Sequence, residues 1–407
     1  MVVRPAARTD VNRSAILAQL GAHGPASRAD LARVLTLSPA LMTQLTKDLL
    51  ADGLLQELEQ APSHGGRPAR MLGIVSTAGH AIGVKIVADH IAFVEVGIDG
   101  AVLRSASEPF DASSSTFLAK LTLLLRRFIV GGSSTPLLGI GVGVPGSVDN
   151  QGSGLVDSTQ LGWNQVPLGA TLRRELALPV LVENNVNALA MAERLYGVGR
   201  HHDNFLVVTI GTGVGAGIVV DGVVLRGFSG GAGEVGHIPV DEAGPLCSCG
   251  NYGCLESFIG EAALVRQART RGIIGVESGM TALRAAADAN NPAAAAVFGE
   301  AGHRLGRALA GIVYTLDPEI IIVLGEGTTA WKHWSVGFEP ALRSSLIPGR
   351  RQVAVAVETW QDESWAQGAA AIVLATPFDS DGLAGDQGRL VRARLVEQSS
   401  PRGARAS

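Results

Sequence analysis

Every cysteine of this 407-residue chain falls in one short run: Cys247, Cys249 and Cys254 read C-x-C-x4-C, with His237 ten residues upstream. Three soft thiolates and one imidazole complete the tetrahedral donor set that Zn2+ takes, close enough in sequence to staple a single loop. A disulfide with one spare thiol, or three ordinary buried cysteines, would also put sulfur here, but neither needs all three thiols inside eight residues. Four protein ligands leave no open position for water. The expected zinc is therefore structural: it organises the loop and performs no hydrolysis.

The surrounding run, Gly233-Glu234-x-Gly236-His237 followed by C-x-C-G-x-x-G-C-x-E, resembles the signature of the ROK group of bacterial repressors, uncharacterised frames and sugar kinases. The resemblance extends from about His80 to Ala375 and implies either a sugar kinase or a sugar-responsive transcription repressor. It assigns Asn184, Glu234, His237 and Glu256 to sugar hydroxyls. Such carboxylates and amides suit vicinal diols, because each oxygen accepts from a hydroxyl. Glu234 and Glu256 could instead only orient the zinc loop, and His237 could serve both metal and ligand.

Several departures from the kinase pattern bear on activity. Where the kinases read E-N-D-A-N, with Asp as the base for the sugar hydroxyl, this chain has Glu183-Asn184-Asn185-Val186-Asn187. Asn185 can hydrogen-bond a hydroxyl but cannot hold its proton, a loss worth about 10²–10⁴ in rate. The family's first-lobe phosphate turn, Gly-x-Asp-x-Gly-Gly-Thr, is matched by Gly83-Val84-Lys85-Ile86-Val87-Ala88-Asp89, with Lys85 at the Asp position and both turn glycines gone. A β-branched valine does not readily take positive φ, so this turn should not cradle a phosphate. The second-lobe turn, Thr209 to Gly217, keeps its glycines, but Glu326 replaces the second of a Gly-Gly pair on the nucleotide side. Gly141 to Gly146 and Gly162-Trp163 match the family near the sugar, whereas Thr159-Gln160-Leu161 departs from its Pro-Asn-Leu. The expectation is that phosphoryl transfer has been abandoned and sugar binding kept.

These residues need elements to hold them. His80–Arg104 and Asn204–Arg226 form a diverged internal repeat, each a run of apolar strands ending in Ile/Val-Asp-Gly-x-Val-Leu-Arg. Paired β-meanders, each followed by βα segments, resemble the two-lobed actin-like ATPase fold of sugar kinases, in which sugar lies between the lobes. Ahead of them, Val11–Leu20 reads as a helix, and Ser27 caps a second that buries Leu31, Val34 and Leu35. Ser38 caps a third, with Pro39 at its first position and Met42, Leu45 and Leu49 as its apolar stripe. That leaves Leu41, Thr43, Gln44 and Lys47 outward. Leu54-Leu55 and Met71-Leu72 then flank a hairpin tipped by Gly65-Gly66-Arg67-Pro68. Together they predict a winged helix-turn-helix, with Thr43, Gln44, Lys47 and Arg67 as DNA contacts and Arg67 directed to a minor groove. A dimerisation or protein-binding module is the competing reading of the same pattern.

The expected architecture is α/β: residues 1–75 a winged helix-turn-helix, 76–200 the first lobe, 201–377 the second lobe with the zinc loop, and 378–407 a disordered tail. Residues 1–73 carry eight basic and six acidic residues, net +2 in a chain of net −4. That is a mild bias, so pattern and not charge carries the DNA expectation. No apolar run approaches the roughly 20 residues of a membrane helix, and MVVRPAARTD has no secretory h-region. With thiols on a metal, the expected compartment is the cytoplasm. The expected partners are operator DNA and a monosaccharide or sugar derivative, with a homodimer or homotetramer reading paired half-sites. The alternatives are a sugar kinase with a DNA-binding head and another base, or a repressor controlled by a protein partner.

Overall fold

A computed structural model describes residues 12, 16–17, 19–20, 23–58, 70–358, 363–376 and 385–399. It divides into two compact units, Met1–Arg200 with Glu363–Ser407, and His201–Asp362.

In the head, β1 (Ala26–Ser27) leads into α1 (Arg28–Val34), whose N-terminus is capped by Ser27 Oγ accepting from Asp30 N at 3.1 Å. Ser38 Oγ accepts from Leu41 N at the start of α2 (Pro39–Ala51), and Met42, Leu45 and Leu49 are buried beneath that helix. β2 (Leu55–Leu58) and β3 (Met71–Ile74) pair antiparallel, with β1 on the other edge of β3. Arg28 ties these parts together, donating from Nε to Thr46 Oγ1 of α2 at 3.0 Å and from Nη2 to Glu57 of β2 at 2.9 Å. Ile16, Leu17 and Leu20 of the first predicted helix are helical and buried. Val34, expected in the core, is 54% exposed: α1 turns its Leu31–Ala32 face inward, and Val34 falls on the flank where the helix ends. Arg67 and the wing tip lie outside the described residues.

The first lobe is a five-stranded sheet of β4 (His80–Ile86), β5 (His90–Gly97), β6 (Val102–Pro109), β7 (Leu137–Val144) and, after the small sheet β8 (Ser147–Val148), β9 (Leu155–Ser158) and β10 (Trp163–Pro167), β11 (Val180–Asn184). Its order is β11-β7-β4-β5-β6, with the meander antiparallel and β4, β7 and β11 parallel. α3 (Phe117–Val130) and α4 (Leu168–Leu176) cover one face, and α5 (Asn185–Leu195) follows β11. The second unit repeats this connectivity with β12 (Phe205–Ile210), β13 (Val214–Val220), β14 (Val223–Val224), β15 (Ile320–Leu324) and β16 (Ala354–Val357), ordered β14-β13-β12-β15-β16. The repeated strand sequences thus become repeated sheets. Helices α6 (Glu256–Ile259), α7 (Glu261–Thr270), α8 (Met280–Asp288), α9 (Pro292–Leu316) and α10 (Trp331–Ser345) complete that unit.

Two boundaries differ from expectation. α11 (Glu363–Leu374), expected at the end of the second lobe, packs on the sheet of the first. The sheet has glycines where the helix crosses: a Cβ on Gly83 would lie 1.9 Å from Ala366 O, and one on Gly141 1.8 Å from Ala369 O. Small residues on both sides let backbone approach backbone, a pairing that no local pattern announces. The stretch read as a disordered tail contains α12 (Gly385–Ser399), with Val391 and Leu395 buried at i, i+4 in the core shared by the head and the first lobe. The sequence reading missed that short stripe because arginines surround it.

Candidate functional site

The loop that carries the His237, Cys247, Cys249 and Cys254 cluster hangs on β13. Gly233 takes φ +91, and a Cβ there would lie 1.9 Å from Ala216 O; one on Gly236 would lie 2.2 Å from Val214 O. Ala216 N donates to Gly233 O at 2.8 Å, so the G-E-x-G-H run is pressed against a strand backbone that only glycine can approach this closely. A second turn, closed by Cys247 N to Asn251 O and Gly250 N to Cys247 O, brings the cysteines back toward His237.

His237 Nδ1 and Cys247 Sγ are 3.5 Å apart, and Cys249 and Cys254 Sγ 3.7 Å apart. All four ligand atoms lie within 4.8 Å of one another. A tetrahedron with Zn–S bonds of about 2.3 Å has edges near 3.7 Å, so both the donor set and its spacing fit zinc. Burial and the neighbouring thiols push Cys254 up to about 12, while the backbone N–H of Asn251 pulls Cys249 down. Cys254, buried beside the other thiols, would lose its proton readily with a cation at the cluster.

Two carboxylates flank the cluster. Glu234 Oε2 stands 3.8 Å from His237 Nε2, the nitrogen turned away from the cysteines. Its side chain keeps 44% of its surface exposed, yet the protein packed round it withdraws enough water to raise its pKa; His237 opposes the rise and Glu256 adds to it. Glu256 accepts from Val214 N at 2.9 Å and from Ser248 Oγ at 3.4 Å, so the residue between two cysteines steadies the second carboxylate. Sequence reasoning overlooked Ser248, although its place inside C-x-C was the signal.

In the other unit, Asn184 caps α5. Its Oδ1 accepts from Val186 N at 2.8 Å and Asn187 N at 3.2 Å, and its Nδ2 donates to Gly146 O at 2.8 Å. This joins two sequence motifs, the glycine turn after β7 and the Asn-Asn pair after β11. It leaves Asn184 one N–H for a ligand. Asn185 is half-buried, and among the described residues its amide has no hydrogen-bond partner. Beneath them Glu183 is buried and accepts from Gln151 and Asn187. Trp163 is core: it is buried, stacks on Phe117 at 4.6 Å and donates to Ala112 O.

Gly83 to Ile86 lie within β4, so the first-lobe turn is only Val87-Ala88-Asp89, with no residue at positive φ. Lys85 Nζ sits 5.0 Å above the Trp365 ring. In the second unit the turn between β12 and β13 is Gly211-Thr212-Gly213.

On the head, Thr43, Gln44 and Lys47 are exposed along α2, as expected, and Gln44 Nε2 donates to Asp48 Oδ1 at 2.9 Å.

The ROK family model matches residues 81–376. The chain belongs to the ROK family. It is 30% identical to a xylose repressor of Bacillus subtilis over 264 residues, 64% of this chain and 68% of that protein. It is 27% identical to the DNA-binding transcriptional dual regulator NagC of Escherichia coli over 373 residues, 89% of this chain and 92% of that protein. Among solved structures it resembles a ROK family transcriptional regulator, a homologue of the E. coli MLC protein, with TM-score 0.80, 27% identity and coverage of 96% and 99%. A ROK glucokinase from Streptomyces griseus, solved with glucose and AMPPNP, matches with TM-score 0.64 and 28% identity, over 72% of this chain and 99% of that one. No described helix is long and apolar enough to cross a membrane.

Proposed function

We propose that this chain is a sugar-responsive DNA-binding transcriptional repressor of carbohydrate genes that no longer transfers phosphate. The observation that carries the reading is the exposed α2 face on a head whose core is continuous with the first lobe, combined with an amide, Asn185, where a kinase needs a base. NagC and the MLC homologue match over 89% and 96% of this chain, whereas the glucokinase matches over 72% of it.

In this reading Thr43, Gln44 and Lys47 enter the major groove and Arg67 the minor groove, with two heads on two half-sites of an operator. His237, Cys247, Cys249 and Cys254 hold a structural zinc, which supplies rigidity and no reactive position. Glu234, His237 and Glu256 accept from or donate to sugar hydroxyls, Asn184 offers its remaining N–H, and Asn185 bonds a hydroxyl without removing its proton. The xylose and N-acetylglucosamine named for its relatives are the first effectors to test.

The test titrates purified protein against its own promoter DNA with a panel of monosaccharides and their phosphates, alongside an ATP-coupled phosphorylation assay. One sugar should change operator affinity by about 5–150-fold, the usual span of allosteric coupling, with no phosphorylated product. Robust turnover of any hexose, lost on Asn184→Ala, would establish a kinase instead, and a head that binds no DNA would remove the regulator reading altogether.

A further inference from the structure

The turn after β12 and the loop after β15 lie side by side. These strands are parallel neighbours, with Thr209 opposite Leu324. In open α/β sheets, ligands bind beyond the carboxyl ends of such strands, and glycine turns there present backbone N–H groups to anions. Here the carboxyl ends run into Gly211-Thr212-Gly213 and Gly325-Glu326-Gly327. Gly325 takes φ +98, and a Cβ on it would lie 2.5 Å from Ile210 O; one on Gly327 would lie 3.0 Å from the same oxygen. The second loop is therefore folded down on the first.

Its carboxylate is what reaches the turn. Glu326 Oε2 stands 2.2 Å from the point where Gly211 would carry a Cβ, so it fills the space that the missing side chain leaves. On the other side, Glu261 N donates to Gly211 O at 2.9 Å. Burial raises the Glu261 carboxyl, and the charge of Glu326 raises it further. A glycine turn attracts phosphate because its N–H dipoles meet an anion from outside. A carboxylate lying against the turn repels a second anion at close range.

We propose that Glu326 occupies the phosphate position of the Gly211–Gly213 turn from within the chain and so excludes nucleoside di- and triphosphates from this unit. The inference rests on the reading that phosphoryl transfer has been abandoned, and adds what stands in the nucleotide's place. It also gives the regulator a use for the acid: the turn stays filled whatever the adenine nucleotide concentration.

The experiment titrates the full chain with a fluorescent ADP, with Mg2+ and again with EDTA. The wild type should show no saturable binding up to about 1 mM. Glu326→Gln removes the charge but keeps the bulk, so it should bind measurably but less tightly than Glu326→Gly, which should bind tighter than wild type by roughly 100-fold or more. Circular dichroism and a thermal melt establish that each variant is folded, and the near-isosteric Gln variant serves if the Gly variant is not. Micromolar ADP binding by the wild type would overturn the proposal, with or without Mg2+. So would folded Gln and Gly variants that bind no better than wild type. Operator binding by the same preparations separates the two readings. If operator binding persists while nucleotide binding stays unchanged, only the Glu326 inference fails. If the variants gain nucleotide but no preparation binds DNA, the regulator reading fails instead.

Discussion

Gly233→Ala and Gly250→Ala make a matched pair, because the two glycines share a positive φ and differ in surroundings. Gly233 has φ +91 and Gly250 φ +89. A Cβ on Gly250 meets nothing within 4 Å, whereas one on Gly233 would lie 1.9 Å from Ala216 O. Each substitution places an L side chain at positive φ, which costs about 1–2 kcal/mol. Gly250→Ala should cost little more than that. At Gly233 the loop must also move off β13, adding about 1–3 kcal/mol of overpacking. It would weaken the 2.8 Å bond from Ala216 N to Gly233 O as well, worth about 0.5–1.5 kcal/mol. The sum is about 2.5–6.5 kcal/mol, a large part of the stability of a typical domain. At about 2–4 °C per kcal/mol for a unit of this size, Gly233→Ala should melt at least about 5 °C lower and Gly250→Ala about 2–8 °C lower, the Gly233 shift being the larger. Differential scanning calorimetry on zinc-loaded protein measures both, and sugar titration should show a larger loss for Gly233→Ala, since Glu234 and His237 follow directly. Equal shifts for the two variants would refute the argument that strand contact, and not φ alone, demands glycine in the G-E-x-G-H run.

Metal analysis should find one zinc per chain. Cys249→Ser should lower both zinc content and sugar affinity, because the loop it closes carries Glu234 and Glu256; loss of metal with unchanged sugar affinity would uncouple the two. On the head, Gln44→Ala should narrow the gap between operator and random DNA by about 1–3 kcal/mol at one base pair, adenine being its natural partner. Arg67→Ala should weaken binding to all sequences and flatten the salt dependence, which fluorescence titration at several salt concentrations resolves. If neither substitution changed binding to a confirmed operator, residues 27–73 would be an interaction module and not the DNA reader.

Much of this protein was legible residue by residue because the information is local. Ser27 and Ser38 announce their helices through caps spanning three residues, and Met42, Leu45 and Leu49 share one face because a helix repeats every 3.6 residues. The duplicated strand runs foretold duplicated sheets, and the spacing of His237, Cys247, Cys249 and Cys254 foretold a cluster whose atoms do converge. Tertiary structure decided what lies across long sequence separations. Periodicity reports that a face is buried but not against what, so α11 was assigned to the lobe that precedes it in sequence and not to the glycine face of β4 and β7. The two-residue stripe of α12 was too short to signal burial until its partners in the first unit were in place. Asn184 reads as a ligand residue from its motif, yet only the approach of Gly146 and the first turn of α5 shows that most of its hydrogen-bonding capacity is already used. Glu326 reads as a lost glycine. The parallel pairing of β12 with β15 turns it into a carboxylate lying on the turn where a phosphate would rest.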